Sequence, residues 1–269
     1  LLHPMPGQDC TDMRFKLILS VKPESFGNVL PVSYQYELSS CIHRKLTDNM
    51  GLYVEWLQQN GFISDLSSRY RLFSISNFYI PRIKVEVDRL CILARRVQLW
   101  ISFLPVRGTR ELVEQIFLGQ DLLIGDRHSK VEFVVDEIME IEDPDYKQTM
   151  DYLSLSPIVF ANVRPNRSIE YIGPDSPEYQ DILLDTILEK YEYFYRKEFP
   201  HNLQFGFELI TPPKRKGIFI KRFTPDETKI IGYMYKFRLT LHPTLHRLIY
   251  NTGLGEKINL GFGCVEVLK

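Results

Sequence analysis

The order in which apolar periodicity changes along the chain is its most restrictive feature. Arg14–Val21 alternates apolar and polar side chains, the two-residue period of a half-buried strand. In Tyr34–Leu46 the period lengthens, with Leu38, Ile42 and Leu46 four residues apart on one helical face. Leu52, Tyr53, Trp56 and Leu57 repeat it in a second short helix stopped by Asn60-Gly61. Tyr70–Phe78 and Arg89–Phe103 are aromatic and β-branched and predict strands. Leu112, Val113, Ile116 and Phe117 mark a helix after Pro105, and Val131–Ile141 another strand. The result is β-α-β-β-α-β. A second half repeats that order: strand Ser156–Val163, helix Pro177–Tyr195, strands Asn202–Ile210 and Ile230–Leu241 around a basic hairpin, helix Pro243–Tyr250, strand Gly263–Leu268. An α+β chain of two tandem ferredoxin-like domains (βαββαβ, RRM-like) satisfies both halves.

The acidic, proline-marked stretch Glu140–Asp151 separates the halves, giving domains 13–145 and 146–269. LLHPMPGQDCTD has no periodicity, whereas Met13 opens directly into strand-like sequence; residues 1–12 are therefore read as an upstream segment outside the fold. Of 269 residues, 44% are hydrophobic and 25% charged, enough apolar material for two cores. No apolar run approaches the roughly 18–20 residues of a membrane span. Cys10, Cys41, Cys91 and Cys264 lie far apart without a C-x-x-C pair, which predicts reduced thiols and a cytoplasmic chain.

The formal net charge of −1 hides an asymmetry. Residues 201–269 hold 11 Lys/Arg against 5 Asp/Glu, while Val131–Asp145 holds seven acidic residues and no Lys or Arg. A basic end of this kind suits a phosphate backbone. Within it, Lys214, Arg215, Lys216, Lys221 and Arg222 put five cations in nine residues around Phe219, an expected RNA-gripping hairpin. The chain then runs Gly253-Leu-Gly-Glu-Lys-Ile-Asn-Leu-Gly-Phe-Gly, two G-x-G pairs (Gly253/Gly255, Gly261/Gly263) around Lys257 and Asn259. Glycine admits positive φ and close approach, so the loop is expected to present N–H groups to phosphate, with Lys257 as a point charge. A tight turn joining two elements is the plainer alternative.

This loop, together with Leu30-Pro-Val-Ser-Tyr-Gln-Tyr-Glu-Leu-Ser, Arg71-Leu-Phe-Ser-Ile-Ser, Leu153-Ser-Leu-Ser-Pro-Ile-Val and Pro177-Glu-Tyr, resembles a known family. The chain is similar, from Met13 nearly to its end, to the CRISPR-associated repeat-processing endoribonucleases. These are the sixth numbered Cas family, within the repeat-associated mysterious protein (RAMP) superfamily. The resemblance implies tandem ferredoxin-like domains, tight binding of CRISPR repeat RNA (precursor and mature guide) and cleavage without metal or cofactor. In that chemistry the 2′-hydroxyl attacks the adjacent phosphorus, leaving 2′,3′-cyclic phosphate and 5′-hydroxyl ends. Family members carry a Tyr in the first helix, a His at the end of the next and a Lys before Leu-Phe-x-x-Ser. Those positions here hold His43, Gln58 and Arg71.

His43 is therefore the expected general acid or base, its pKa range suiting either role. Arg71 is the expected transition-state stabiliser, with Lys45, Tyr36 and Tyr34 orienting RNA. Gln58 argues for the rival reading, a slow or inactive homologue that only holds repeat RNA; a third is a subunit of a Cas complex. Other Cas proteins and a homodimer remain open as partners, and a membrane is not among them. His242 and His246 stand four apart, but Pro243 between them favours a strand end followed by a helix over a metal site.

Overall fold

A computed structural model describes residues 14–59, 73–104, 107–200 and 202–268. Residues 1–12, Arg71 and the expected Asn60-Gly61 helix stop lie outside them. The chain forms two compact units: one from residues up to 68, 77–143 and 219–228, the other from 69–76, 144–218 and 229 onward.

The first unit opens with β1 (Arg14–Val21), a one-turn α1 (Pro23–Phe26) and β2 (Val29–Pro31), then α2 (Gln35–Asp48) and α3 (Met50–Gln59). The chain next passes through β3 (Phe73–Ile75), which clusters with the second unit. It returns as the hairpin β4 (Ile83–Glu86) and β5 (Arg89–Ile92), then β6 (Arg96–Phe103), α4 (Thr109–Phe117), β7 (Asp121–Gly125) and β8 (Lys130–Ile141). The main sheet contains the antiparallel run β6-β1-β8-β7, with Leu17 opposite both Leu99 and Ile138. Phe15, Leu17 and Leu19 turn their side chains wholly inward, so the alternation seen in sequence is the inward face of the central strand. Arg14 is buried beside them, its Nε donating to Ser102 Oγ at 2.7 Å. The expected single strand Arg89–Phe103 is two strands, because β5 joins a separate small sheet, β2-β5-β4.

The second unit contains β9 (Thr149–Ser154), the hairpin β10 (Ala161–Val163)–β11 (Ile169–Tyr171), α5 (Tyr179–Tyr195), β12 (Gly206–Leu209), β13 (Lys214–Ile220), β14 (Thr228–Met234), β15 (Lys236–Thr240), α6 (Pro243–Thr252) and β16 (Val265–Val267). Its sheet runs β12-β15-β9-β16, with β9 antiparallel to both neighbours. Numbered as the four strands of one βαββαβ unit, that order is 4-1-3-2, read from β16, as a ferredoxin-like sheet requires.

The first strand of this half is Thr149–Ser154 and not Ser156–Val163. Met150, Tyr152 and Ser154 supply the inward alternation. Ile158, Val159 and Phe160 are buried in another setting: their carbonyls accept from the N–H groups of Tyr233, Glu256 and Ile172. The expected strand Ile230–Leu241 likewise divides at Tyr235 into β14, paired with β13, and β15 in the main sheet.

Candidate functional site

In α2, Leu38, Cys41, Ile42 and Leu46 are buried at three- and four-residue spacing. Tyr36 and His43, seven residues apart, share a different, half-buried stripe, with about 10.5 Å of axial rise between them. The His43 carbonyl accepts from Thr47 Oγ1 at 2.9 Å. Lys45 is about 200° further round the helix than His43, and its Nζ donates to Gln120 Oε1 at 3.2 Å. The helix thus groups Tyr36 with His43 and separates Lys45 from both. Tyr34 stands at the helix N-cap with its ring stacked on Phe78 at 5.4 Å, and its hydroxyl accepts from the Phe78 N–H at 2.9 Å. Burial pushes that phenol well above its ordinary pKa, so Tyr34 is a neutral core residue. Gln58 is exposed on α3.

One titratable group on α2 escaped the sequence reading. Glu37 is half-buried and its pKa rises to about 7, first through loss of hydration and then through the nearby Asp126 carboxylate, against the pull of Arg222. It lies within the motif that opens at Leu30, but the cause of its shift lies in residues distant in sequence.

The glycine-rich loop brings backbone segments into close contact. Gly253, Gly255, Gly261 and Gly263 all have positive φ, from +76° to +90°, and all are buried. Several of the loop's backbone donors are engaged internally. Leu254 N–H bonds Gly263 O at 2.7 Å, Gly263 N–H bonds Pro157 O at 2.9 Å, Glu256 N–H bonds Val159 O at 2.8 Å, and Gly253 and Gly261 N–H bond Ile249 O and Ile258 O. A Cβ on Gly263 would fall 2.2 Å from Leu254 O, and one on Gly255 2.7 Å from Val159 O. These glycines therefore permit backbones to touch. What the loop offers outward is Lys257, exposed at φ +58°, with Asn259 half-buried beyond it.

Lys190 holds the loop's entry. It sits on the buried face of α5 with Leu183, Ile187 and Tyr191, and its Nζ donates to the carbonyls of Thr252 and Gly253 where α6 ends. Burial draws its pKa down to about 7; the two carbonyls and the negative end of α6 pull the other way. Its place in the apolar stripe of α5 was visible in sequence as a lysine at a core position.

The basic hairpin β13–β14 divides in character. Lys214, Arg215 and Lys216 are exposed, and no described residue forms an ion pair with them. Arg222, by contrast, is bonded to Asp88 at 3.0 Å and lies over the rings of Phe219 and Phe223 at 5.5 and 4.9 Å. Lys221 lies 3.5 Å from Asp226. Arg222 thus fastens the hairpin tip within its unit, where Arg89 and Asp126 form a further pair at 2.8 Å.

The two histidines of the α6 region are both engaged. His242 Nδ1 caps α6 by accepting from Thr244 N–H. His246 is fully buried, with Nε2 donating to Gln148 O at 3.1 Å, which leaves Nδ1 to accept from Tyr152 OH at 2.8 Å. Burial lowers its pKa to about 4, so the ring is neutral near pH 7. No described group of His, Cys, Asp and Glu has the arrangement of a metal site, and no described helix is long and apolar enough to cross a membrane.

Two antiparallel sheets within a doubled βαββαβ order, with a glycine-rich loop before the last strand, define a tandem ferredoxin-like protein. Residues 141–267 match the family model of CRISPR associated protein Cas6, C-terminal. A CRISPR-associated endoribonuclease-like protein Cas6 of Pyrococcus furiosus is 25% identical over 263 residues, covering 94% of this chain and 99% of that one. A CRISPR-associated endoribonuclease Cas6 of the same organism is 28% identical over 156 residues, 58% of this chain and 54% of its own length. In fold, the chain superposes on the product of a Cas6-related gene from Pyrococcus furiosus with a TM-score of 0.77, at 24% identity over 96% of this chain and 99% of that one. It superposes on a RAMP protein described as binding different RNA substrates with a TM-score of 0.76, at 22% identity over 96% and 100%. The chain thus carries a Cas6 C-terminal match over residues 141–267 and is similar along most of its length to CRISPR-associated endoribonuclease-like proteins.

Proposed function

We propose that the chain is an endoribonuclease that cuts precursor CRISPR RNA within its repeats and retains the product. The observation that carries this is the Cas6 C-terminal match over residues 141–267, which takes in the whole glycine-rich loop. The bond is broken by the RNA's own 2′-oxygen: it attacks phosphorus as its proton leaves, the P–O5′ bond breaks, and the 5′-oxygen takes up a proton. The products are a 2′,3′-cyclic phosphate and a 5′-hydroxyl. His43, half-buried on α2, is the group proposed to move one of those protons. Tyr36, on the same stripe, orients the RNA, and Arg71 offsets the charge gathering on the phosphorane. Lys45, turned to Gln120, is left a positioning part at most. Lys214, Arg215, Lys216 and Lys257 supply exposed cations for the RNA backbone.

Exposed Gln58, at the position where the family carries histidine, favours a second reading in which repeat RNA is bound without being cut. Incubating the protein with repeat RNA in EDTA separates the two. A mobility shift with cleavage supports the enzyme; a shift of intact RNA supports the binder; neither refutes both.

A further inference from the structure

The hairpin β4–β5 leaves one strand edge open. In the small sheet β2-β5-β4, β4 is the outer strand, and all four of its residues are exposed. Ile83 and Val85 are 45% and 56% exposed, and Val87, at the turn with φ +54°, is fully so. An edge of this kind is a template for another strand unless the sequence blunts it.

The ladder decides which groups the edge presents. Leu93 N–H bonds Arg82 O at 2.9 Å, and the register pairs Ile83 with Ile92, Lys84 with Cys91, Val85 with Leu90 and Glu86 with Arg89. Hydrogen-bonded and non-bonded pairs alternate in an antiparallel ladder. Arg82, Lys84 and Glu86 therefore turn their main-chain groups toward β5, while the N–H and C=O of Ile83 and Val85 point away from it. The side chains alternate as well, placing Ile83 and Val85 on one face and the ion-paired Lys84 and Glu86 on the other.

We propose that the chain forms a two-fold homodimer in which β4 pairs antiparallel with β4 of a second copy, centred on Val85. In this register Val85 faces its own counterpart and the two exchange N–H···O=C bonds. Ile83 of each protomer flanks that pair on the same face, giving an apolar patch across the axis. Lys84 of each protomer faces Glu86 of its partner, giving two cross-strand ion pairs. Centring on Lys84 or on Glu86 would instead set like charges opposite each other, so the charges select the register. A lone lysine on an edge strand protects it from pairing; here Glu86 two residues on offsets that protection, and a second copy supplies the complementary charges in one register. An interface of one short strand is small and belongs to the weak, concentration-dependent class.

The test is sedimentation velocity of the whole chain, free of RNA, across a concentration series. Wild type is expected to show a reversible monomer–dimer equilibrium. Val85→Pro removes an outward N–H while leaving the β4–β5 bonds in place, and is expected to be monomeric throughout. Lys84→Glu and Glu86→Lys are each expected to raise the dissociation constant about tenfold, and the double exchange to return it to within about twofold of wild type. Far-UV circular dichroism checks folding, and the charge series decides the matter should Val85→Pro misfold. A wild type that stays monomeric, as it would if this edge served a different protein, overturns the proposal. So does a double exchange no tighter than the single ones.

Discussion

Adding one methyl group at Gly263 tests whether the glycine-rich loop is a device for backbone contact. Gly263 has φ +76°, and its new Cβ would stand 2.2 Å from Leu254 O and 2.4 Å from Ile258 Cδ1. Holding alanine in the left-handed region costs about 1–2 kcal/mol. The overlap with a carbonyl oxygen cannot be relieved by a side-chain rotation, so the loop must part. That breaks the Leu254 N–H···Gly263 O and Gly263 N–H···Pro157 O bonds, each worth about 1 kcal/mol net. The total for Gly263→Ala is about 3–4 kcal/mol. Gly119 supplies the control: its φ is +71° but nothing lies within 4 Å of its built Cβ, so Gly119→Ala should cost only about 1–2 kcal/mol. Calorimetry gives the loss of stability for the transition of each unit, and amide exchange at Leu254 and Gly263 reports the loop directly. If Gly263→Ala costs no more than Gly119→Ala, or those two amides stay protected, the close-contact reasoning is wrong.

The hairpin and the buried histidine yield further expectations. Replacing Lys214, Arg215 and Lys216 by alanine should lower the slope of log affinity for repeat RNA against log salt by about 2, since each lost single-strand phosphate contact removes ~0.7. Arg222→Ala should leave that slope unchanged and cost about 1 kcal/mol of stability in thermal melts, because its Asp88 and phenylalanine contacts lie within the protein. His246 has a folded pKa of about 4, below its unfolded value near 6.5. Its neutral ring therefore contributes stability that is complete above about pH 6.5 and is lost as pH falls toward 4, about 3 kcal/mol in all. Denaturant titrations across that window should show the loss, and His246→Gln should flatten it.

Much of the fold was legible where periodicity was unbroken. β1 matches the alternation of Arg14–Val21, and α5 and α6 end within two residues of their expected limits. β9 was hidden because its outward residues are polar and it adjoins the acidic boundary, whereas Ile158-Val-Phe160 is apolar enough to pass for a strand. That segment's partners are Tyr233 and the glycine-rich loop, about 75 to 100 residues on, pairings local sequence does not encode. The placement of the candidate residues was legible on the same terms. Seven-residue spacing puts Tyr36 and His43 on one stripe, but a cation count could not show that Asp88, 134 residues away, holds Arg222. Glycine pairs announce positive φ without saying where the neighbouring amides point; the bonds to Pro157 and Val159 depend on chain far away in sequence.

The central claim, that His43 moves a proton during RNA cleavage, is tested most directly by single-turnover cutting of repeat RNA in EDTA, with product ends identified and affinity measured separately. Wild type is expected to release a 2′,3′-cyclic phosphate and a 5′-hydroxyl. His43→Ala is expected to bind the RNA equally well while cutting it about 10²–10⁴-fold more slowly. Cleavage by His43→Ala at the wild-type rate, or wild-type protein that binds the repeat and leaves it intact, would contradict the account.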